Sequence, residues 1–402
     1  MDSTVVDNQS DDHSDDQPTT QNMDSTNDTQ DPDVCERTTS PLASIQQIQF
    51  LHPIPDKDRI VMAQVLGYRV IVNRNDFNFD ENKEQLCVFF EPDALLDSTN
   101  PVFAFMESRK FRVRTIKFGT SYSQGLAMKL ETWGELSSLP AGTDVTKLTK
   151  TTKYISKEEQ GQYAIVAGRS KGRRRNAAYY SRAPKDPRMQ RFPEHRISKT
   201  DEVNVQSAPF KWTNMVASDA TIVVTEKIDG CSGTFAADFI ASRNFQHVEV
   251  DGTYHQTAKD YVEANKKYDI VNQLKAFPTF IIQGEIYGPG INHNRLKETE
   301  LKFAVFNIWD TASQTYLPWG RVKEVCAQLH LPHVPELWTG RVSESPVFSS
   351  MSVEDLLNFV EPRKYPAGTW AEGIVIKTET PTKGNEASFK VISRNYLVNK
   401  KE

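Results

Sequence analysis

One short stretch limits what this chain can fold into more than any other. Residues 221–224 (TIVV) are mostly apolar and β-branched, and they lead straight into residues 225–230 (TEKIDG). Such a run is typical of a buried strand, and the glycine lets the backbone turn where a ligand approaches closely. Lys227 would then lie at a strand end near Asp229, where a lowered pKa makes a lysine a nucleophile. The same residues also suit a surface lysine before an ordinary Asp-Gly hairpin turn.

Length and composition exclude several classes of protein. The chain has 402 residues, of which 38% are hydrophobic and 10% aromatic, enough for two or three cores. Its four cysteines are scattered, which indicates neither a zinc site nor a disulfide framework. We find no apolar run long enough for a membrane span and no signal peptide, so we expect a soluble protein of the cytoplasm.

Charge divides the chain into regions of opposite sign. Residues 1–42 hold eleven Asp and Glu against one Arg, and residues 169–199 hold eleven Lys and Arg against two acidic residues. The first region has almost nothing to bury, so we predict a disordered acidic tail over 1–42. The second predicts a basic linker or insertion over 151–200. It suits single-stranded nucleic acid, nuclear import through 171–175, or no role beyond spacing.

Between these regions lies a segment of short alternating runs separated by turn residues. About five strands at this spacing predict a small β-barrel over 43–150. Residues 108–117 (SRKFRVRTIK) alternate cations with apolar residues. This pattern predicts a strand with one basic face, which could bind phosphates or simply be solvated.

Residues 201–402 alternate β-rich runs with amphipathic helical patterns, which predicts an α+β domain in which strands dominate the middle. The predicted helices are 257–275, 321–329 and 352–360, and the predicted strands are 221–226, 235–241, 279–286, 302–308, 372–378 and 387–392. Several of these strands share the character of the first, because each carries a charged residue beside or near glycine. The charged residues placed in this way are Glu285, Glu372, Lys377 and Lys390. Phe306 lies between them on a β-run, where it could flank a base or belong to the core.

In this order the stretches resemble the motifs of the covalent nucleotidyltransferases, the superfamily of polynucleotide ligases and mRNA capping enzymes. The matching motifs are Lys227-Ile228-Asp229-Gly230, Ser242-Arg243-Asn244, Gly284-Glu285, Phe306, Glu372-Gly373-Ile374-Val375-Ile376-Lys377 and Phe389-Lys390-Val391. One such motif is weak evidence, whereas six in the right order are strong. The sequence departs from the family at Ile392, where the last motif often has a second lysine.

The details are similar to those of RNA ligases. Thr225-Glu226-Lys227, Gly288-Pro289-Gly290 and residues 305–308 resemble the type 2-like RNA ligases. DNA ligases and capping enzymes carry an OB domain after the last motif, but only twelve residues follow Lys390 here. The barrel in front resembles instead the type 5 RNA ligases, which pair an N-terminal OB domain with a C-terminal catalytic domain. Residues 160–192 look like an insertion relative to that family.

The resemblance implies an ATP-dependent RNA ligase that joins RNA 3′-OH and 5′-phosphate ends in RNA repair. Three nucleotidyl transfers would pass through lysyl-AMP on Lys227 and an RNA-adenylate. Lys377 and Lys390 would stabilise phosphate charge and, with bound Mg²⁺ or Mn²⁺, depress the pKa of Lys227. Asp229 and Glu372 would hold the metal, largely through water.

The resemblance also implies which side chains bind the nucleotide. Glu226 would help to read adenine, Glu285 would accept from the ribose hydroxyls, Arg243 would pair with phosphate, and Phe306 would stack on the base. The full set of implied nucleotide-binding residues is Glu226, Ser232, Arg243, Glu285, Phe306 and Glu372.

Two other functions stay open on the sequence alone. One is a GTP-dependent capping guanylyltransferase, and the other is an RNA-binding protein whose ligase domain is inactive. The absence of an OB domain after the last motif argues against the first, and the intact lysines and carboxylates argue against the second. For all three functions the expected partner is RNA, and a ligase would bind nicked or broken ends. We expect no membrane partner and a monomeric protein.

Overall fold

The computed structural model of the chain describes residues 40–77, 85–155, 184–381 and 387–400. Most of the predicted acidic tail and the basic segment 171–175 lie outside the described residues. Within the described part of the chain, no helix is long and apolar enough to cross a membrane.

The first part of the fold is built from short antiparallel strands. Its strands are β1 (Ala43–Ile54), β2 (Lys57–Val65), β3 (Tyr68–Asn73), β4 (Leu86–Phe90), β5 (Ala94–Leu95), β6 (Ile116–Phe118), β7 (Ser121–Ser123), β8 (Leu126–Lys129) and β9 (Thr152–Lys153). Five of them form one sheet in the order β3-β2-β1-β4-β8, while β5 pairs with β9 and β6 pairs with β7. Alternate residues of β2, such as Val61, Ala63 and Val65, are buried in its core, as the period-2 pattern requires. The predicted β-barrel is confirmed as an OB-like half-barrel.

The basic strand predicted over 108–117 is wrong. Pro101–Arg109 is a 3-10 helix, and only β6 at the end of the stretch is a strand. Pro101 favours the first helical turn, and the helix ends where Lys110 adopts the left-handed conformation with φ of 54°. Alternating cations therefore do not line one face of a strand here.

The C-terminal part of the fold holds the remaining strands in two further sheets. They are β10 (Met189–Arg191), β11 (Thr221–Lys227), β12 (Cys231–Ala236), β13 (Phe239–Ser242), β14 (Phe245–His247), β15 (Phe280–Tyr287), β16 (Lys302–Asp310), β17 (Thr315–Tyr316), β18 (Glu336–Arg341), β19 (Gly373–Thr378) and β20 (Ser388–Ile392). The larger sheet has the order β10-β14-β13-β12-β15-β16-β17, and the smaller has the order β18-β11-β19-β20. The expected α+β class with mostly antiparallel sheets is confirmed.

Helices cover these sheets. They are α1 (Pro209–Ala217), α2 (Lys259–Tyr268), α3 (Ile270–Leu274), α4 (Trp319–Gln328), α5 (Val353–Val360) and α6 (Arg394–Asn399). The helix predicted over 257–275 is interrupted at Asp269, whose φ of 49° ends α2 and starts α3. The single strand predicted over 235–241 is also wrong, because β12 and β13 form a hairpin with a turn at Ala237 and Asp238.

The basic linker predicted over 151–200 is wrong at both of its described ends. β9 pairs with β5, so the barrel extends beyond residue 150. β10 pairs with β14 in the large sheet, and Met189 and Phe192 are buried there at 3% and 5% exposure. Two apolar side chains suffice for this pairing, and the many surrounding cations conceal them in the sequence.

One face of the small sheet, including that of β11, packs toward the large sheet. Ile222 and Val224 point into a core shared with α1 and α5, whereas Val223 packs into the core of the large sheet. Because side chains alternate along a strand, Thr225 and Lys227 share the face of Val223 and point toward the large sheet. The space between the two sheets is therefore where Lys227 lies.

A bridging segment, residues 203–207, joins the barrel to the small sheet. On one side, the Val205 N–H donates to the Lys390 carbonyl at 2.9 Å, and the Lys390 N–H donates to the Val203 carbonyl at 2.9 Å. On the other side, Gln206 Nε2 donates to the Gly67 carbonyl at 3.0 Å, and the Gly67 N–H donates to the Gln206 carbonyl at 2.8 Å. Both bonds to Gly67 are made to the β2–β3 turn of the barrel.

Candidate active site

The strand register gathers the predicted lysines on one face of the small sheet. Lys227 lies opposite Gly373, Val223 lies opposite Lys377, and Val375 lies opposite Lys390. Residues that face each other in a ladder project to the same side, so the three lysines point into the space between the sheets. Lys377 lies further along the strands than the other two.

Lys227 is held by a carboxylate of the neighbouring strand. Its Nζ lies 3.0 Å from Glu372 Oε2, and both side chains are largely buried, at 24% and 16% exposure. Burial alone would lower the pKa of Lys227, but the charges of Glu372, Glu285 and Asp229 outweigh it and raise that pKa above its ordinary value. Carboxylates dominate the surroundings of Lys227, and the expected depression of its pKa by bound Mg²⁺ or Mn²⁺ together with Lys377 and Lys390 stays a prediction.

Glu285 reaches the site from the large sheet. It lies on β15 opposite Ser232, next to the turn at Gly230. A Cβ added at Gly230 would lie 2.3 Å from the Ile286 carbonyl oxygen, so only glycine allows this turn to approach β15 so closely. Burial raises the pKa of Glu285 to about 8, and the Lys227 charge opposes the rise. Glu285 is thus a carboxyl group that is costly to ionise unless a cation approaches.

Asp229 is anchored by the loop that follows β15. Asn292 Nδ2 donates to Asp229 Oδ1 at 3.0 Å, and Arg295 Nε lies 3.2 Å from Asp229 Oδ2. The side chain of Asp229 is 3% exposed, and burial followed by the charge of Glu372 raises its pKa. Oδ1 is therefore hydrogen-bonded, whereas Oδ2 is ion-paired with Arg295 and has no hydrogen bond within the described residues, so a metal at this side chain would compete with both neighbours.

Lys377 and Lys390 are cations in surroundings that disfavour their charge. Burial lowers the pKa of Lys377 to about 8, and burial together with the charge of Lys227 lowers that of Lys390 to about 8. Lys377 Nζ donates to the Phe306 carbonyl at 2.7 Å and to Asn307 Oδ1 at 2.8 Å, which ties the small sheet to the large one. An anion entering this space would relieve the cost of burying both charges.

Phe306 lies at an irregularity in the backbone pairing of β16. The register places Gln283 opposite Asn307 and Gly284 opposite Val305, so Phe306 is the extra residue of a β-bulge in β16. A bulge redirects a side chain and is common beside active sites. The ring is half-buried against the core of the large sheet, which keeps its role in base stacking a prediction.

Three other predicted residues lie at the edges of the site with partners of their own. Ser232 Oγ lies 2.8 Å from Thr200 Oγ1. Arg243 Nη2 lies 2.7 Å from Asp201 Oδ1, so a phosphate at Arg243 would compete with this carboxylate. Burial raises the pKa of Glu226, against the influence of Arg363, whose Nη2 lies 3.9 Å away.

Sequence reasoning missed three residues that organise the site. Asn292 and Arg295 hold Asp229, and the hydroxyl of Tyr365 bonds to the backbone of Lys227, Asp229 and Glu372. Asn292 has a φ of 43°, a conformation that asparagine tolerates better than most residues. A usable signal was the polar run Asn292-His293-Asn294-Arg295 after a glycine-rich turn. Tyr365 gave no signal beyond its position before the Pro-Ala-Gly turn.

Family models match both parts of the fold. Residues 220–392 match the model of the RNA ligase family, and residues 42–130 match that of an OB-fold domain. Residues 220–392 are an RNA ligase domain. All of the predicted site residues lie within this domain. No curated protein matches the chain.

Solved structures of Naegleria gruberi RNA ligase are similar to this chain over most of its length. An apo variant of that enzyme is 22% identical with a TM-score of 0.70, and the alignment covers 89% of this chain and 97% of that chain. A variant solved with ATP and Mn is 23% identical with a TM-score of 0.71, covering 89% and 98%. The enzyme solved with PPi is 23% identical with a TM-score of 0.68, covering 89% and 98%. This chain therefore has the fold of that ligase, with the barrel in front of the RNA ligase domain.

Proposed function

We propose that this protein is an ATP-dependent RNA ligase that joins a 3′-OH end to a 5′-phosphate end through lysyl-AMP on Lys227. The single observation that carries the proposal is the juxtaposition of Lys227 and Glu372, 3.0 Å apart at the meeting point of the two sheets of an RNA ligase domain. Solved structures of the similar Naegleria gruberi enzyme contain ATP and Mn, AMP and Mn, or PPi. ATP is the nucleotide we assign to this chain on that basis.

In the first transfer, Lys227 Nζ forms a bond to the α-phosphorus of ATP while the bond to the β-phosphate oxygen breaks and pyrophosphate leaves. The amine must lose its proton first, and Glu372 Oε2 is the acceptor that already touches it. In the second transfer an oxygen of the RNA 5′-phosphate forms a bond to the phosphorus of lysyl-AMP, the P–N bond breaks, and the Lys227 amine leaves and regains a proton. In the third, the RNA 3′-OH attacks that phosphate and AMP leaves.

Lys377 and Lys390 suit the stabilisation of phosphate charge. Both point into the space between the sheets, and both have a pKa lowered to about 8. Negative charge that develops on the α-phosphate would favour their protonated forms, so the interaction strengthens as the reaction proceeds. Glu285 and Phe306, on the facing sheet, would then bind the ribose and the base.

A divalent cation fits the same site. The carboxyl groups of Asp229, Glu285 and Glu372 interact electrostatically with one another and with Lys227. Three carboxyl groups therefore surround one lysine charge. Within the described ranges no cluster of three or more His, Cys, Asp or Glu side chains could bind a metal directly. The excess of carboxylates suits Mg²⁺ or Mn²⁺, which are held by one or two carboxylates, several waters and phosphate oxygens of the substrate. Glu372 and Asp229 would hold it through water, and the cation would lower the pKa of the attacking amine.

The test is labelling of the protein with ATP that is radioactive at the α-phosphate. Wild type with Mg²⁺ or Mn²⁺ should become labelled, release pyrophosphate, and then seal RNA with 3′-OH and 5′-phosphate ends. Lys227→Ala should abolish the label, whereas Lys275→Ala, which removes an exposed lysine, should retain it. An unlabelled wild type, or full labelling of Lys227→Ala, would contradict the proposal. Labelling with GTP in preference to ATP would indicate a capping enzyme instead.

A further inference from the structure

Tyr365 is a buried side chain that joins separate elements of the site. The residue is 2% exposed. Its hydroxyl donates to the Lys227 carbonyl at 2.8 Å and accepts from the N–H groups of Asp229 at 3.1 Å and of Glu372 at 3.2 Å. A tyrosine hydroxyl has one proton and two lone pairs, so all of its bonding capacity is used here.

These three bonds continue the β11–β19 ladder beyond its last pair, which is Lys227 opposite Gly373. In a regular antiparallel ladder the backbone groups of the next residues would bond to each other directly. Here the two strands diverge, and the hydroxyl stands between them as the link. It therefore sets the separation between the backbones that carry Lys227 and Glu372, while the chain turns away at Asp229.

The turn that carries Tyr365 is itself fixed. The Tyr365 N–H donates to the Thr369 carbonyl at 2.9 Å, and the Gly368 N–H donates to the Tyr365 carbonyl at 2.8 Å. Thr369 Oγ1 also donates to the Arg295 carbonyl at 2.5 Å, and the side chain of Arg295 forms the ion pair with Asp229. Because the turn is bonded internally and to the opposite loop, the hydroxyl has little freedom to move.

We propose that Tyr365 is a positioning residue for lysyl-AMP formation, holding the backbones of Lys227 and Glu372 so that the amine stays on its line of approach to the nucleotide. This inference rests on the adenylyl transfer proposed above. Lys227 is the attacking group only in the first transfer, whereas the RNA 3′-OH attacks in the last. Loss of the hydroxyl should therefore slow the first transfer far more than the last.

Tyr365→Phe tests this because it removes the hydroxyl and keeps the ring that fills the core. The rate of lysyl-AMP formation should be measured in single turnovers over a series of ATP concentrations, and the sealing of chemically pre-adenylated RNA should be measured separately. A misplaced nucleophile costs about 100-fold in rate, so we expect a loss of that order at saturating ATP. The ATP concentration for half-maximal rate and the sealing of pre-adenylated RNA should stay close to wild type.

Two further variants make the result decisive. Tyr316→Phe removes a different tyrosine hydroxyl, bonded to Gln283 Oε1 at 3.1 Å, and should behave like wild type. Thr369→Val loosens the turn but keeps the Tyr365 hydroxyl, so it should give a smaller loss in the same transfer, and it decides the question if Tyr365→Phe does not fold. Equal losses in both transfers, or lysyl-AMP formation within about twofold of wild type, would overturn the inference. A wild type that forms no lysyl-AMP would instead remove the proposed function.

Discussion

Replacing Lys377 with methionine removes a half-buried cation and keeps most of the volume of its side chain. In the wild type, Nζ lies 4.6 Å from the centre of the Trp319 ring and donates to Phe306 and Asn307. Burial lowers the pKa of Lys377 from 10.5 to about 8 in the folded protein. A difference of that size corresponds to about 3 kcal/mol in the free energy of unfolding, at roughly 1.4 kcal/mol for each pH unit.

The sign follows from which state binds the proton. Below about pH 8 both the folded and the unfolded chain carry the charge, so the folded protein bears the full cost of burying it. Between about pH 8 and pH 10.5 the unfolded chain keeps a proton that the folded chain has lost, so the free energy of unfolding rises with pH. In Lys377→Met the free energy of unfolding should not show this rise with pH. The lysine at 390 contributes equally to both proteins and cancels in the comparison.

The assay is denaturant unfolding of both proteins without ATP, from about pH 7 to about pH 10. Wild type should gain stability relative to Lys377→Met across this range, approaching about 3 kcal/mol, even if the unpaired acceptors make the variant less stable at every pH. Lys275→Met, at an exposed position, should show no such pH-dependent difference from wild type. A difference between wild type and Lys377→Met that does not change with pH would refute the reasoning.

Three further substitutions test the packing and charge of the site. Gly373→Ala would place a Cβ 1.9 Å from the Val391 carbonyl oxygen at a φ of 152°, so we expect a loss of more than about 3 kcal/mol in denaturant unfolding. Arg295→Ala removes the ion-pair partner of the buried Asp229 and should cost about 3–5 kcal/mol, visible as a lower Tm. Glu285→Gln removes a carboxyl whose pKa is raised from 4.5 to about 8, so wild type loses stability as pH rises through that window and the variant does not. The two unfolding free energies should therefore diverge between about pH 5 and pH 8 and then stay parallel.

The elements that carry the site were predictable because their local patterns are strong. β-branched runs gave β11, β15, β16 and β19 within two residues, since such runs favour buried strands whatever surrounds them. The charged residues at the ends of these strands lie in the space between the two sheets, because β11 and β19 are neighbours in one sheet and β15 and β16 are neighbours in the other. The order of the motifs along the chain was sufficient to expect this meeting.

The ionisation of Lys227 could not be read from its own strand. Its pKa depends on carboxylates from β15, from the residue just before β19 and from the turn after β11, and a sequence gives their identity without their distances. The same limit applies to Tyr365, whose role depends on where two strands diverge. The misassigned linker has a different cause, because Met189 lies on β10, which pairs with β14 more than fifty residues further along the chain.

The bridging segment connects the orientation of the barrel to the position of Lys390. Residues 203–205 are bonded to the backbone of Lys390, and Gln206 is bonded to the barrel at Gly67 and at Gln124. If the barrel rotated away from the small sheet, either these hydrogen bonds would break or the strand that carries Lys390 would move with the barrel. The position of the barrel and the position of Lys390 are therefore coupled, so a substitution in the β2–β3 turn should alter the proposed sealing reaction although no side chain of the site changes.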